Sequence, residues 1–272
     1  MSPKPTDNIR QACLQQLESD LFLGAKSLPF DKENIPRPAA STDASSNSPK
    51  TAAEPGDSYS QSPPASNALL MPEAIQPNAM TAEQKRQALA ALEGEVKNCQ
   101  KCPLSKTRTN VVFGQGNPSA ELVFVGEAPG YYEDQQGLPF VGRAGKLLDD
   151  ILTRGMGLSR DDIYICNVLK CRPPENRDPG SDEMVCCLPF LERQLEIIAP
   201  KVICCLGRIA AQCLLNTKAP MKELRGHWHN YRGIKTMVTY HTAYLLRNPA
   251  DKKKSWMDIQ QVMAELGLNR PK

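Results

Sequence analysis

The sequence predicts an α/β domain in which helices cover both faces of a parallel β-sheet. Four short, mostly apolar runs are interpreted as strands, at residues 121–128, 163–171, 201–207 and 236–241. Amphipathic stretches alternate with them, at residues 142–156, 181–199, 208–216 and 248–266. Parallel strands are near-continuously apolar because the helices that connect them bury both faces of the sheet.

The N-terminal part of the chain has a different composition. Residues 24–80 contain nine prolines and only two aromatic residues, Phe30 and Tyr59. So few large apolar side chains cannot bury enough surface to offset the conformational entropy of the segment, and we interpret it as a disordered linker. The folded domain is predicted to span residues 81–272, because Thr81 is a suitable cap for a helix that begins there.

Net charge changes at the same boundary. Residues 1–80 carry 6 basic and 9 acidic side chains, a net charge of −3, and residues 81–272 carry 27 and 21, a net charge of +6. A modestly basic domain is compatible with a polyanionic partner. A solvated surface of mixed charge is the alternative.

A segment within residues 1–23 has an amphipathic pattern of its own. Its residues QLESDLF, from Gln16 to Phe22, resemble peptides that dock on bacterial sliding clamps, with Ser19 where a Leu is often found. The alternative is a short helix that packs on its own domain. A clamp-binding peptide ahead of a disordered linker would hold an enzyme near replicating DNA at a high effective concentration.

The sequence contains no recognisable membrane or export signal. No apolar run is long enough to span a bilayer, and the N-terminus lacks the apolar core of a signal peptide. We therefore expect a cytoplasmic protein, and a monomer. Nine of the ten cysteines lie in residues 81–272, which in a reducing compartment indicates metal ligation and buried thiols rather than disulfides.

Four cysteines are distinguished by their positions. Cys99 and Cys102 form a Cys-x2-Cys pair, and Cys171 and Cys187 lie at a predicted strand end and inside a predicted helix. One tight pair with two dispersed thiolates fits either a zinc site or an iron–sulfur cluster, and four unrelated core thiols are a third interpretation. The other thiols of the domain are predicted to be buried small hydrophobic residues: Cys166, Cys186, Cys204, Cys205 and Cys213.

Polar and glycine-rich segments follow three of the predicted strands. GEAPG (126–130) follows the first strand, Asn167 and the loop KCRPPENR lie at the second, and His241 with TAYLLR lies at the fourth. Ligands of open parallel sheets bind beyond the carboxyl ends of the strands. We therefore expect these segments to meet in one cleft.

Five motifs in this order give the chain a family resemblance. GEAPGYYED, GLPFVGRAG, NVLKCRPPENRDP, CCLPFLERQ and HTAYLLRNP resemble the family 4 uracil-DNA glycosylases, the iron–sulfur members of their superfamily. The resemblance covers roughly residues 88–267. It implies a three-layer α/β/α sandwich around a four-stranded parallel sheet, and removal of uracil from DNA by hydrolysis of the N-glycosidic bond. It also implies a [4Fe–4S] cluster whose ligands are Cys99, Cys102, Cys171 and Cys187.

The same resemblance implies how uracil is recognised. Asn167 would donate to uracil O4 and accept from N3–H, whereas cytosine presents the opposite pattern. Phe140 would stack on the flipped base, and Glu133 would lie near its C5 edge and exclude the methyl group of thymine. His241 would donate a hydrogen bond to O2, where negative charge develops as the base departs.

The turn after the first strand departs from the best-known uracil glycosylases. They carry there an Asp that orients water toward the sugar, and the matching position here is Ala128. Glu127 is the nearest carboxylate, so the catalytic residues expected from the resemblance are Glu127 and His241. The backbone from Glu127 through Ala128 to Pro129 is expected to contact uracil.

The segment after His241 resembles a loop that enters the minor groove of DNA. Leu245 or Leu246 would be its apolar wedge and Arg247 would contact the backbone. The family usually has Pro after this histidine, and this chain has Thr242, which bears on the rigidity of the loop. Further phosphate contacts are expected from basic residues beside the cluster: Lys170, Arg172 and Arg177.

Two other functions are compatible with the sequence. One is a related glycosylase with a broader base range, such as hypoxanthine or xanthine, and the other is a non-catalytic DNA-binding module joined to a recruiting tail. The joint presence of Asn167, Phe140 and His241 favours uracil excision, because DNA binding alone requires none of them.

Overall fold

The computed structural model describes residues 74–75 and 80–269. The predicted clamp-binding segment in residues 1–23 lies outside the described residues, as does the predicted linker except for its last few positions. Within the described residues the chain alternates strands and helices as the sequence predicted.

A mixed sheet of six strands forms the centre of the described domain, in the order β1-β3-β2-β4-β6-β5. The strands are β1 (Gln115–Gly116), β2 (Leu122–Gly126), β3 (Tyr164–Asn167), β4 (Val202–Leu206), β5 (Trp228–Tyr231) and β6 (Ile234–Thr239). The four central strands are mutually parallel, which confirms the predicted four-stranded parallel sheet. Two short antiparallel strands at the edges, β1 and β5, were not predicted.

The helices lie in two layers, one on each face of the sheet. They are α1 (Ala82–Lys97), α2 (Tyr131–Gln136), α3 (Arg143–Asp150), α4 (Ser181–Ile198), α5 (Arg208–Leu214), α6 (Met221–Leu224), α7 (Thr242–Arg247) and α8 (Lys252–Glu265). One π-helical turn, Ile151–Met156, continues α3, and 3-10 turns occur at Pro103–Lys106, Pro174–Asn176 and Pro249–Asp251.

The alternation of side chains along β2 shows why both faces need a covering layer. Val123 and Val125 join the apolar core shared with α1, α4 and α5. Leu122 and Phe124 join the core shared with α3 and α8. Successive side chains of a strand point to opposite faces, so an all-apolar strand requires helices on both sides. The predicted three-layer α/β/α sandwich is therefore confirmed.

Helix α1 begins at the predicted cap. The Thr81 hydroxyl accepts a hydrogen bond from the Gln84 N–H at 3.2 Å, and the Gln84 side chain accepts one from the Thr81 N–H at 2.8 Å. This reciprocal pair satisfies two backbone donors that the first turn leaves without helical partners. Leu89, Leu92 and Val96 then fix the helix against the core.

The predicted linker does not continue unchanged to residue 80. The Ile75 N–H donates to the Arg232 carbonyl at 2.7 Å, and the Ile75 side chain packs on the core. These contacts show that part of the ordered structure precedes Thr81. The sequence carries no signal for it, because a single apolar residue can pack on a turn without a periodic pattern around it.

One local prediction near the site was wrong. TAYLLR, predicted as a loop, forms helix α7, and its Leu245 is only 1% exposed. A side chain packed in the core cannot insert into DNA, which leaves Leu246 as the wedge candidate.

The close approach of α3 to the segment before it requires a glycine. A Cβ at Gly145 would lie 1.7 Å from the carbonyl oxygen of Phe140, which is a backbone atom and cannot rotate away. We expect Gly145→Ala to destabilise the protein by at least about 2 kcal/mol, because this overlap can be relieved only by moving the backbone.

Gly94 supplies the matched control, since it is exposed in α1 and a Cβ there would meet nothing within 4 Å. Gly94→Ala should stabilise the protein by about 0.5–1 kcal/mol, the usual gain in a helix interior. Thermal and urea unfolding of both variants would measure the difference. Equal midpoints for the two would contradict the role assigned to Gly145.

Candidate functional site

A pocket lies at the carboxyl ends of the parallel strands, as the sequence predicted. Its volume is about 420 Å³, within the range typical of small-ligand sites. Nine of the predicted site residues line it: Glu127, Ala128, Pro129, Glu133, Phe140, Asn167, Arg177, His241 and Arg247. The pocket is therefore formed by segments that are up to 120 residues apart in the sequence.

Strand pairing brings the first two segments together. Gly126 ends β2 directly beside Asn167 at the end of β3. Two backbone hydrogen bonds extend this pairing past the strands, from the Val168 N–H to the Gly126 carbonyl and from the Leu169 N–H to the Glu127 carbonyl. The Asn167 side chain therefore lies beside the GEAPG turn at a fixed register.

The Asn167 side chain has an unsatisfied acceptor. The residue is 2% exposed, and its Oδ1 accepts no hydrogen bond from any described residue. A buried polar atom without a partner costs about 1–3 kcal/mol. Such an atom in a pocket is suited to a ligand that brings a donor, such as an imide N–H.

Phe140 is held in an uncommon backbone conformation by polar contacts. Its φ of 54° lies in the left-handed region. Arg160 donates to the carbonyls of Pro139 and Phe140, and Glu133 Oε1 accepts from the N–H groups of Val141 and Gly142, both at 2.9 Å. Glu133, predicted as a base-excluding side chain, thus also clamps the segment that carries Phe140.

His241 stands at the start of α7 with a defined tautomer. Its Nδ1 accepts a hydrogen bond from the Ala243 N–H at 3.1 Å, so the proton of the neutral ring is on Nε2. Burial, with a smaller contribution from Arg247, lowers the pKa of His241 to about 4. The ring stacks on Phe140 at a centroid distance of 5.7 Å. The site therefore holds a neutral N–H donor beside an aromatic face.

Glu127 faces an environment that disfavours its charge. Burial, reinforced by the nearby Asp178 carboxylate, raises the pKa of Glu127 to about 7, although Arg208 opposes the shift. Asp178 and Arg208 form an ion pair at 3.1 Å. The carboxyl group of Glu127 therefore titrates close to neutral pH.

The basic residues predicted to bind phosphate occupy different positions. Arg247 is exposed at the pocket, and Arg172 is partly exposed with its guanidinium 5.1 Å from the centroid of the Tyr131 ring. Arg177 is exposed at the pocket and pairs with Glu183. Lys170 is 0% exposed and cannot reach a phosphate, so that prediction was wrong.

The four spaced cysteines line a second, smaller cavity together. Cys99, Cys102, Cys171 and Cys187 meet there, and none of them forms a disulfide. Cys186, predicted as a buried thiol, is only partly buried and also reaches this cavity. Cys166, Cys204 and Cys205 are fully buried in the sheet, whereas Cys213 is only partly buried.

The surroundings of this cavity suit thiolates bound to a metal group. The Arg108 guanidinium donates to Cys171 Sγ at 3.2 Å, and the Lys170 backbone N–H donates to Cys187 Sγ at 3.3 Å. Burial raises the pKa of both thiols, that of Cys187 to about 11, so ionisation would require a cationic partner. In the part of the chain described, no three His, Cys, Asp or Glu side chains converge closely enough for one metal ion. A cluster is larger than one ion and holds its ligands further apart.

Several residues of the site carry no recognisable signal in the sequence. Arg160 fixes Phe140 from a surface turn, and Asp178 and Arg208 act on Glu127 from two separate elements. Tyr244, at the pocket edge, belongs to a helix that was predicted as a loop. The only sequence signal for Asp178 is its position within the motif NVLKCRPPENRDP.

Comparison with known proteins gives consistent matches over the folded part. A profile described as "Uracil DNA glycosylase superfamily" matches residues 113–262. The type-4 uracil-DNA glycosylase of Saccharolobus solfataricus is 46% identical over 187 residues, which cover 65% of this chain and 86% of that protein. The type-4 enzyme of Archaeoglobus fulgidus is 45% identical over 65% of this chain and 92% of its own length. The Thermotoga maritima enzyme is 45% identical over 62% and 88%.

The titration of Glu127 can be measured directly. We expect its side-chain carboxyl carbon to titrate near pH 7 in NMR spectra of the labelled protein. Asp178→Asn should lower this pKa, because it removes a negative neighbour and leaves Arg208 unpaired, and Arg208→Gln should raise it. A pKa near 4.5 in the unmodified protein would contradict the burial of this carboxylate.

Proposed function

The chain belongs to the uracil-DNA glycosylase superfamily and, within it, to the type-4 enzymes, and we propose on this basis that it removes uracil from DNA. The enzyme hydrolyses the N-glycosidic bond between the base and deoxyribose and thereby starts base-excision repair. Its substrate is uracil-containing DNA.

The unsatisfied acceptor of Asn167 is the observation that carries the assignment to uracil. Uracil N3–H would donate to Oδ1, and uracil O4 would accept from the amide nitrogen. Cytosine has no hydrogen on N3 and presents an amino group in place of O4, so it would leave Oδ1 buried without a partner. That mismatch disfavours cytosine by about 1–3 kcal/mol for each hydrogen bond not made.

The pocket provides the other functions that base removal requires. A flipped base must leave the stack, and Phe140 at the pocket wall offers an aromatic face worth about 1–3 kcal/mol to it. Ala128 and Pro129 line the pocket with small side chains, so their backbone can approach the base. Glu133, which lines the same wall, excludes a C5 methyl group in this proposal.

His241 stabilises the departing base. Bond cleavage places negative charge on uracil and positive charge on the sugar. The neutral Nε2–H group donates to O2, and a pKa of about 4 keeps it neutral at physiological pH. A neutral donor strengthens its hydrogen bond as charge develops without binding an anion tightly beforehand.

Glu127 acts on the sugar side. Glu127 is the carboxylate nearest the GEAPG turn and lines the pocket. Its carboxylate stabilises the positive charge that develops on the sugar or holds the attacking water. Because its pKa is about 7, the charged fraction rises between about pH 6 and pH 8, and an excision rate that uses this carboxylate rises with it. Protonation below that range removes the contribution.

Four thiolates hold a [4Fe–4S] cluster in this proposal: Cys99, Cys102, Cys171 and Cys187. The shared cavity, the free thiols and the two N–H···S hydrogen bonds support it. When bound, the cluster would cross-link the segment after α1, the loop after β3 and helix α4. It would thereby order the loop that contains Arg172.

DNA contact is assigned to the rim of the pocket. Arg247 and Arg172 bind phosphate, and Leu246, half-buried on α7, is the apolar wedge. The clamp interaction of residues 16–22, the cytoplasmic location and the monomeric state stay predictions. No helix among the described residues is long and apolar enough to cross a membrane.

The proposed function is tested by excision from oligonucleotides that contain uracil, hypoxanthine or no modified base, in single- and double-stranded form. We expect uracil release, and Asn167→Asp should reduce it strongly because the donor to O4 is lost. Slight excision of cytosine by this variant would follow from the new acceptor. Full uracil release by Asn167→Asp would show that Asn167 does not read the base.

The role of His241 is tested by His241→Ala in single-turnover excision. The rate should fall by about 10²–10³, the usual effect of removing one donor to a developing anion. Affinity for uracil-containing DNA should change little, because the phosphate contacts are untouched.

His227→Ala is the matched control, since His227 is exposed and does not line the pocket. It should excise at the unmodified rate. If single-stranded substrate restored the activity of His241→Ala, as it should restore a wedge variant such as Leu246→Ala, His241 would position DNA and not act on the leaving base.

The cluster is tested by iron content after anaerobic purification. The protein should be brown and contain about four iron atoms per chain. Alanine at any of the four proposed ligands should lower the iron content and the folded yield, whereas Cys186→Ala, one residue from Cys187, should retain both. Stoichiometric zinc without iron would contradict the assignment.

A further inference from the structure

Lys170 is a fully buried lysine between the two cavities. It is 0% exposed, and its ammonium donates to the Asn167 backbone carbonyl at 2.7 Å and to Gln194 Oε1 at 2.5 Å. A buried lysine is costly unless its donors are used. Both of these acceptors are neutral, so within the described part of the chain hydrogen bonds hold the lysine, and no carboxylate forms an ion pair with it.

Gln194 is itself fixed in place. It lies on α4 and is 0% exposed. Its Nε2 donates hydrogen bonds to the Phe113 carbonyl at 3.1 Å and to the Tyr164 hydroxyl at 3.3 Å. The far end of the Lys170 side chain is therefore anchored to a rigid helix and two further segments. An anchored donor can define the position of the Asn167 carbonyl.

Lys170 also contacts the wall of the cysteine cavity. Its backbone N–H donates to Cys187 Sγ at 3.3 Å, and the next residue is Cys171. The same helix, α4, carries both Cys187 and Gln194. Lys170 is thus hydrogen-bonded through its backbone to Cys187, a proposed cluster ligand. Through its side chain it is hydrogen-bonded to Asn167 at the end of β3.

We propose that Lys170 is a positioning residue that holds the Asn167 amide in register for uracil by tying the end of β3 to helix α4 and the cysteine wall. The inference rests on the proposed function. It assigns to the cysteine cavity a task in base recognition that is separate from DNA contact.

The Asn167 side chain needs such support because no described residue donates a hydrogen bond to its Oδ1. Its orientation is set by the backbone of β3, by the adjacent Gly126 and by the Lys170 hydrogen bond to its carbonyl. Supporting contacts of this kind keep a site within the narrow geometry that recognition needs, and a displacement of about 1 Å can reduce the rate 100-fold.

The test uses the cluster-loaded enzyme with Lys170→Met, which keeps an apolar chain of similar length and removes the ammonium. Lys101→Met is the matched control, since Lys101 is exposed beside the same cavity, with its Nζ 4.8 Å from the centroid of the Phe190 ring. Gln194→Leu is a second variant, which removes the anchor and leaves the Lys170 hydrogen bond to Asn167. Measurements are kcat/KM on a uracil-containing single strand, inhibition by free uracil, affinity for undamaged DNA and visible absorbance of the cluster.

Lys170→Met should lower kcat/KM by roughly 10- to 100-fold, the effect of leaving a buried carbonyl without its donor, and should weaken inhibition by free uracil to a similar extent. Gln194→Leu should change both in the same direction by less. Affinity for undamaged DNA and cluster absorbance should match those of Lys101→Met.

A merely structural role would reduce the fraction of active enzyme and leave the uracil inhibition constant of the active molecules unchanged. That outcome would overturn the proposal, and so would equal kcat/KM for Lys170→Met and Lys101→Met. Loss of undamaged-DNA binding in parallel with uracil binding would also overturn it. Failure of the unmodified enzyme to release uracil would instead refute the proposed function, and the inference with it.

Discussion

The site depends on the absence of a side chain at Gly126. A Cβ there would lie 2.3 Å from Asn167 Oδ1 and 2.7 Å from Phe140 Cζ, so the three residues can approach one another only when this position is glycine. The register of β2 with β3 fixes the first approach, and the clamps on Phe140 by Arg160 and Glu133 fix the second. The residues proposed to stack on the base and to read it, Phe140 and Asn167, thus both pack against the backbone of Gly126.

Electrostatics in the pocket is set mainly by burial. His241 and Glu127 are both shifted toward their neutral forms, His241 to a pKa of about 4 and Glu127 to about 7. These two groups therefore carry less charge at neutral pH than they would in water, although charge separates during bond cleavage. A neutral donor and a carboxyl group near its titration point can respond to that charge without prior ion binding.

The thiol cavity and the base pocket are joined through a short stretch of chain. Asn167, Lys170 and Cys171 lie within five residues, and each faces a different environment: the base pocket, the buried contact with α4 and the cysteine cavity. In the proposal for Lys170, this arrangement connects the cysteines to base recognition.

The sequence by itself determined the parallel sheet, the order of its four central strands along the chain and the pocket at their carboxyl ends. Periodicity and strand-end motifs depend on local residues, which is why Thr81, Asn167 and His241 could be placed in advance. Only the tertiary structure decided features that depend on distant neighbours. Leu245 is buried because α7 packs on the domain, and Lys170 points inward because Gln194, 24 residues later, supplies an acceptor. The edge strands β1 and β5 likewise form because β3 and β6 offer free backbone hydrogen-bonding groups to them. The residues of β1 and β5 themselves do not show this in the sequence.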